Sequence, residues 1–322
     1  MHLMTFIFVH ILIKYEVQLF SHAAGNGIFR GNHEMLKTIL SILFCFASVS
    51  AAYAQAASCD SLDAKSLQVA KAAFGQIHGY GCCTDTVESC LNKAAECKSV
   101  SFVADEICRL SSKGKKADEI KEIIDLRAKA MAADARIYDI EVKPEHIWGN
   151  PDSKVVLSVY LCGRCPYCSR HVPLLIHTLE KTALKDQIAV NLRYFPIKSH
   201  DNSTPAALAI EAAAQLGKAW PYLLKSYENF DAFTLNQIHV WAQEIGMDKD
   251  AFASQMKDAA TRSTVSKSKK EGLVNGVTTT PTFFINGRRI EGKFDVDSIV
   301  SILKEALAMQ ESAAAPDLPE QH

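Results

Sequence analysis

Cysteine disappears from the chain after Cys168: the last 154 of its 322 residues carry none, although ten lie before that point. No charge of one sign dominates either, with 35 basic against 36 acidic side chains and a net charge of -1. Nucleic-acid binding driven by counterion release needs a basic face, so no nucleic-acid partner is expected. No apolar run is long enough to promise a span of ~30 Å of hydrocarbon. Cysteine is also too sparse for a disulfide scaffold that replaces a core. Apolar residues at 48% and charged residues at 22% instead describe a chain that buries a core, in about two domains.

From Met35 the sequence supplies one lysine, Lys37, an apolar run over residues 39–49, and Ala52-Tyr53-Ala54. That order is a secretory signal peptide, residues 35–54, with cleavage after Ala54. Phe44 before Cys45 argues against a lipoprotein signal. Residues 1–34 then lie upstream of a complete signal and read as an over-extended start. Export predicts the periplasm, where disulfides persist. Cys45 leaves with the signal, and nine cysteines remain.

Six of the nine, Cys59, Cys82, Cys83, Cys90, Cys97 and Cys108, fall in residues 55–131. Leu67, Ala70, Ala73 and Phe74 recur at helical spacing before Gly79 and Gly81. Asp85 with Glu88 suits the cap of a short helix carrying Cys90. Val103, Ile107 and Leu110 mark another helix, ending near Gly114. Ile120, Ile123, Ile124 and Ala128 mark one more, to Met131. Cys83, Cys90 and Cys97 are seven apart, so an unbroken helix would align them. Up to three structural disulfides clamping a small all-α module is the favoured account, with a redox role or metal binding as the alternatives; six cysteines allow 15 pairings. The segment weakly resembles the three-helix domain of CcmH-like cytochrome c maturation reductases, but Cys82-Cys83 supplies no C-x-x-C, and no residue carries over. Residues 132–150 read as a polar linker, and residues 309–322 as a disordered tail.

Residues 155–160, Val-Val-Leu-Ser-Val-Tyr, form a buried strand by composition. Cys162-Gly163-Arg164-Cys165-Pro166-Tyr167-Cys168 follows, then Val172, Leu175 and Leu179 at helical spacing. Cys165 therefore stands where a strand passes into a helix, and Pro166 suits the first helical position. Free N–H groups and the helix dipole there favour a thiolate, bringing a pKa of ~8.5 down to ~3.5–7.5. Arg164 adds a positive charge next door, and Cys168, one turn on, is the more buried thiol. Cys162 reads as a small buried hydrophobe or a partner of the N-terminal module. His171 reads as a surface histidine, and the C-x-x-C-x-x-C run as unsuited to an iron–sulfur cluster. Downstream, residues 187–195 read as a strand. Residues 277–290 read as loop, strand, turn and strand, with Asn286-Gly287 as a hairpin signal. Residues 296–307 read as a last helix. Trp220, Tyr222, Tyr227 and Phe230 read as core, and Lys267, Lys269 and Lys270 as a solvated helix face.

Strand, C-P-Y-C, helix, a long helical stretch, then Thr280-Pro281-Thr282-Phe283-Phe284-Ile285-Asn286-Gly287-Arg288-Arg289 and a final helix resemble the DsbA-like thiol–disulfide oxidoreductases. The resemblance covers roughly residues 145–308. It implies an α/β thioredoxin fold over residues 151–308, with a helical insertion at about 201–270, preceded here by the all-α cysteine-rich module. It implies Cys165 as nucleophile, Cys168 as resolving cysteine and Pro281 as a cis-proline facing them, with Thr280 offering its backbone to a substrate peptide. Arg164, Pro166 and Tyr167 are the supporting residues. No cofactor or metal is implied. The implied partners are substrate proteins with thiols or disulfides, and a membrane redox partner. Val159 stands where many relatives carry a buried acid, Pro-Tyr where strong oxidants carry Pro-His, and Thr280 where reductants and isomerases often have threonine. Redox direction is left open across about −270 to −120 mV. The other function classes to weigh are a redox-inert protein-binding module and a haem- or metal-handling thiol chaperone.

Overall fold

A computed structural model of the chain describes residues 59–92, 97–292 and 295–314. The expected signal peptide and over-extended start, and residues 315–322 of the tail, lie outside the described residues. The described residues fall in one compact unit.

The N-terminal helical periodicity closes into α1 (Ala64–Gln76), α2 (Val87–Leu91), α3 (Lys98–Ser112) and α4 (Ala117–Met131). Asp63 caps α1 by accepting from the Ser66 N–H at 2.9 Å. Thr86, one residue after the expected Asp85, caps α2 by accepting from the Ser89 N–H. Asp85 instead accepts from the Thr86 N–H and the Ser89 hydroxyl. Cys83, Cys90 and Cys97 do not share a helix: Cys83 precedes α2 and Cys97 caps α3. The disulfides are Cys59–Cys108, Cys82–Cys97 and Cys83–Cys90. The first joins positions 49 apart, so it ties the start of the module to α3 and restricts the unfolded chain most.

A five-stranded sheet follows, in the order β1-β3-β2-β4-β5. Its strands are β1 (Ile147–Gly149), β2 (Val156–Leu161), β3 (Ala189–Tyr194), β4 (Thr282–Ile285) and β5 (Arg288–Arg289). Central β2 runs parallel to β3 and antiparallel to β4. Both its faces are covered, which is why it reads as an apolar run. The crossover from β2 to β3 is α5 (Pro166–Glu180). Asn286 and Gly287 both have positive φ, 49° and 76°, the backbone a two-residue hairpin of this twist requires. Between β3 and β4 lie α6 (Ser203–Gln215), α7 (Ala219–Glu228), α8 (Gln237–Glu244), α9 (Lys249–Lys257) and α10 (Ala259–Val274). Trp220, Tyr222 and Tyr227 are buried among them, and Phe230 packs against that core. Lys269 departs from the expected solvated face: its ammonium donates to the Pro196 carbonyl and sits over the Phe195 ring.

Two expectations need correction. Residues 132–150 are not a free linker, because β1 pairs with β3 and Ile137 bridges to Arg288. Tyr138 packs edge-on against Phe284. Glu141 accepts from buried Arg193, and His146 is buried 2.7 Å from Glu211. Scattered apolar residues in a polar stretch hide such an edge, since a three-residue strand has no period to detect. Likewise the last helix, α11 (Val296–Ala314), outruns residue 307 into the expected tail. Ala308, Met309 and Gln310 are good helix formers, and Pro316 is the first breaker after them.

The module packs on α11. At one end Arg109 donates to Glu106, Asp295 and Ser298, while Lys113 pairs with Asp295 and Asp297. At the other, Arg127 and Glu305 form a fully buried pair: Nε and Nη2 donate to Glu305 Oε2 at 3.0 and 2.7 Å. The Tyr80 hydroxyl donates to the same oxygen at 2.8 Å, and Arg127 Nη1 donates to Ser301.

Candidate functional site

The C-terminal end of β2 delivers Cys162, Gly163, Arg164 and Cys165 to the start of α5. The Cys165 N–H donates to the Cys162 carbonyl at 3.0 Å, closing the turn that sets Cys165 at the helix N-cap. Pro166 occupies the first helical position, where its missing N–H costs nothing. Gly163 lets α6 approach, for a Cβ there would lie 2.9 Å from the Ala206 Cβ and 3.1 Å from Ile210 Cδ1.

Cys162, Cys165 and Cys168 are reduced and buried in the main core cluster. The Thr280–Pro281 peptide bond is cis, and in its thiol form Cys165 Sγ donates to the Thr280 carbonyl at 3.3 Å. Thr278 and Thr279 are exposed just before it. The fold thus brings Cys165, Cys168, Thr280 and Pro281 together from two distant segments.

Electrostatics divide the two thiols. A hydrogen bond from the Cys168 thiol, opposed by burial and aided by Thr280 and the Cys168 and Tyr167 backbone N–H groups, brings Cys165 down to about 5. Burial, then the neighbouring Cys165, pushes Cys168 well above the usual thiol range. These shifts favour the thiolate at Cys165 and the thiol at Cys168. Cys162 is also pushed up by burial, and its sulfur lies 3.4 Å from His200 Nδ1, not against the N-terminal module.

The supporting residues divide as well. Tyr167 is 63% exposed, and its part at Cys165 is played by its backbone N–H. Arg164, expected to add a positive charge beside Cys165, is held elsewhere. Its guanidinium lies between the rings of Phe230 and Phe233, 4.2 and 4.4 Å from their centroids, and donates to the Phe230 carbonyl at 2.6 Å. Two aromatic faces and a carbonyl outbid a thiolate already served by N–H groups. Arg164 therefore pins the active loop to the insertion. Beside that tether a groove of about 510 Å³ runs along Pro166, Ser169, Arg170, Tyr227, Phe230 and Asp231. His171 Nδ1 contacts the Tyr167 carbonyl at 2.8 Å, a local helix contact.

Tyr227 is core of the insertion, as expected, and it also reaches the active loop. Its hydroxyl donates to the Cys162 carbonyl at 3.1 Å, tying the insertion to the loop that carries Cys165. An aromatic 65 residues downstream in an apolar helix carries no local signal of that contact.

A family comparison agrees with this architecture. A family model described as thioredoxin matches residues 141–305. Among solved structures the chain is similar to alpha-DsbA1 of Wolbachia pipientis, at 16% identity and a TM-score of 0.48, covering 55% of this chain and 97% of that one. It is also similar to oxidised BdbD of Bacillus subtilis, at 18% identity and a TM-score of 0.47, covering 54% and 99%. Among curated proteins it is 28% identical over 172 residues to a Na(+)/H(+) antiporter NhaA of Herminiimonas arsenicoxydans, 52% of this chain and 27% of that protein. The chain thus spans about a quarter of the length of the curated relatives it matches. Among the described residues no helix is long and apolar enough to cross a membrane.

Proposed function

The chain belongs to the thioredoxin family, and from that premise we propose that it is an exported thiol–disulfide oxidoreductase exchanging disulfides with substrate proteins through Cys165 and Cys168. The observation that carries this reading is the opposed pair: a thiolate at a helix start, with a buried, protonated thiol one turn behind it. At about 5, Cys165 is roughly 99% thiolate at pH 7.

With the pair reduced, the Cys165 thiolate attacks a substrate disulfide. A Cys165–substrate bond forms, and one substrate sulfur leaves as thiolate and takes a proton. Cys168 then loses its proton and attacks Cys165, forming the Cys165–Cys168 bond and releasing the second substrate thiol. The substrate gains two electrons and the pair loses two. The reverse sequence oxidises a substrate dithiol, and a membrane redox partner then accepts the electrons. Thr280, whose carbonyl meets Cys165 Sγ, offers its backbone to an extended substrate strand, with Thr278 and Thr279 exposed just before it. The domain plan is part of the reading: residues 55–131 as the module, and residues 151–308 as the thioredoxin-like domain. Periplasmic location is supported by the signal-like residues 35–54 and by three disulfides, which need an oxidising compartment.

Alkylation of the reduced chain across pH tests the reading. Cys165 has a depressed value, so its reactivity is full at high pH and falls away as pH drops through about 5. Cys168→Ala, which removes the foremost stabilising hydrogen bond, is expected to move that midpoint upward. A Cys165 midpoint in the ordinary thiol range near ~8.5 would leave the pair inert at neutral pH and the reading without support.

A further inference from the structure

We propose that Arg164 is a positioning residue for the exchange reaction: clasped by Phe230 and Phe233 of the helical insertion, it fixes the turn that presents Cys165 at the start of α5. The inference rests on the exchange chemistry assigned above and gives the insertion a part in it.

The sheet lets go of the active loop at Leu161, whose carbonyl accepts from the Phe195 N–H at 2.8 Å. The next three residues belong neither to β2 nor to α5, and the insertion meets each of them. The Cys162 carbonyl accepts from the Tyr227 hydroxyl at 3.1 Å. Gly163 faces α6 so closely that a Cβ there would lie 2.9 Å from the Ala206 Cβ. The Arg164 guanidinium is stacked between Phe230 and Phe233, and its Nη1 donates to the Phe230 carbonyl at 2.6 Å. The Cys162 carbonyl also accepts from the Cys165 N–H at 3.0 Å. The turn that seats the nucleophile and its tie to the insertion therefore share one atom.

Of these contacts the Arg164 stack is the one made by a side chain of the loop itself. A guanidinium offers a flat face to each ring and a fork to the carbonyl, which an ammonium cannot do. Among the described residues the buried Arg164 Nε has no hydrogen-bond partner, so two rings and one carbonyl carry the hold. The titratable groups whose charge reaches Arg164 are Cys162 on the loop, and Asp231 and Asp201 on the insertion side. Position matters because a helix N-terminus favours an anion only within about its first turn. Cys165 sits at that N-cap with its sulfur 3.3 Å from the Thr280 carbonyl, Cys168 behind it and Cys162 three residues before. A turn free to rock takes the sulfur out of that field, and the thiolate loses stability. Arg164 passes no proton and no electron; it acts through the turn.

Alkylation of the reduced full chain across pH, paired with equilibration against glutathione, tests this. Arg164→Met is expected to raise the Cys165 midpoint by about half to one pH unit, the size of a helix-terminus effect. It should also shift the glutathione equilibrium about three- to tenfold toward the Cys165–Cys168 disulfide, because the reduced form loses its stabilised thiolate. Arg164→Lys keeps the charge and loses the stack; Phe230→Leu/Phe233→Leu keeps the arginine and loses the rings. Both are expected to match Arg164→Met, and combining the ring variant with Arg164→Met should add little. The three break the clasp by different routes, so one that does not fold leaves the other two to decide. Wild-type midpoints in the variants overturn the inference. So does a shift in Arg164→Met that Arg164→Lys does not share, the mark of a charge acting directly. Lower thermal stability with midpoint and equilibrium unmoved overturns it as well, since Arg164 would then be scaffold alone. A wild-type midpoint in the ordinary range near ~8.5 sinks the exchange reading before any variant is compared, and this inference with it.

Discussion

Replacing Cys165 by serine is expected to lower thiol–disulfide exchange by at least ~10³-fold, with the fold retained. Serine fits the same N-cap space, and its side chain takes up no core volume that the sulfur did not. What is lost is the nucleophile: a thiolate attacks sulfur, whereas a serine hydroxyl stays protonated at neutral pH. The measurement is reduction of a disulfide peptide, or oxidation of a dithiol peptide, under pseudo-first-order conditions. Cys168→Ser is the informative companion. It keeps Cys165, so the first attack proceeds, but nothing behind it closes the pair, and mixed disulfides should accumulate. Equal loss in both variants without accumulation would mean that the two sulfurs do not have separate roles.

The second large effect lies far from these sulfurs. Glu305→Ala is expected to destabilise the chain by about 3–5 kcal/mol, the usual consequence of removing one partner from a buried pair. Arg127 would be left as a buried cation with only Ser301 on Nη1, and the Tyr80 hydroxyl would lose its acceptor. Lys113 with Asp295 and Asp297 offers little compensation, since that cluster is largely exposed. Replacing Arg127, Glu305 and Tyr80 together by apolar residues of similar volume should recover most of the loss, because no charge or donor is then stranded. Equilibrium denaturation reads both variants. A Glu305→Ala loss below ~1 kcal/mol would show that the module gains little from this contact with α11.

The sequence made legible whatever is encoded locally. Leu67 to Phe74, Val103 to Leu110 and Ile120 to Ala128 announce α1, α3 and α4 by period, and Asn286-Gly287 announces the hairpin by backbone preference. Cys165 before Pro166 announces a thiol at a helix start. The remainder depends on contacts between distant segments. Which of 15 disulfide pairings forms is decided by how α1, α2 and α3 pack. β1 is three residues long, and its identity as a strand comes from β3 alone. Arg164 reads as a neighbour of the thiolate from sequence adjacency alone; Phe230 and Phe233, more than sixty residues on, draw it away. Tyr227 is legible as buried and illegible as the donor to the Cys162 carbonyl, since burial does not say beside what. The length of α11 is hidden for another reason: residues 308–314 have a composition that suits both a helix and a loose tail.

The central claim is that Cys165 and Cys168, and no other pair, make and break a disulfide. The most direct measurement is equilibration of the full chain against glutathione buffers from reducing to oxidising, followed by acid quenching, alkylation and peptide mapping. One two-electron transition is predicted, joining Cys165 to Cys168, while Cys162 is recovered as a thiol and the three module disulfides stay intact across it. Recovery of Cys165 and Cys168 as thiols over the whole range, or a disulfide to Cys162 in place of either, would contradict the account.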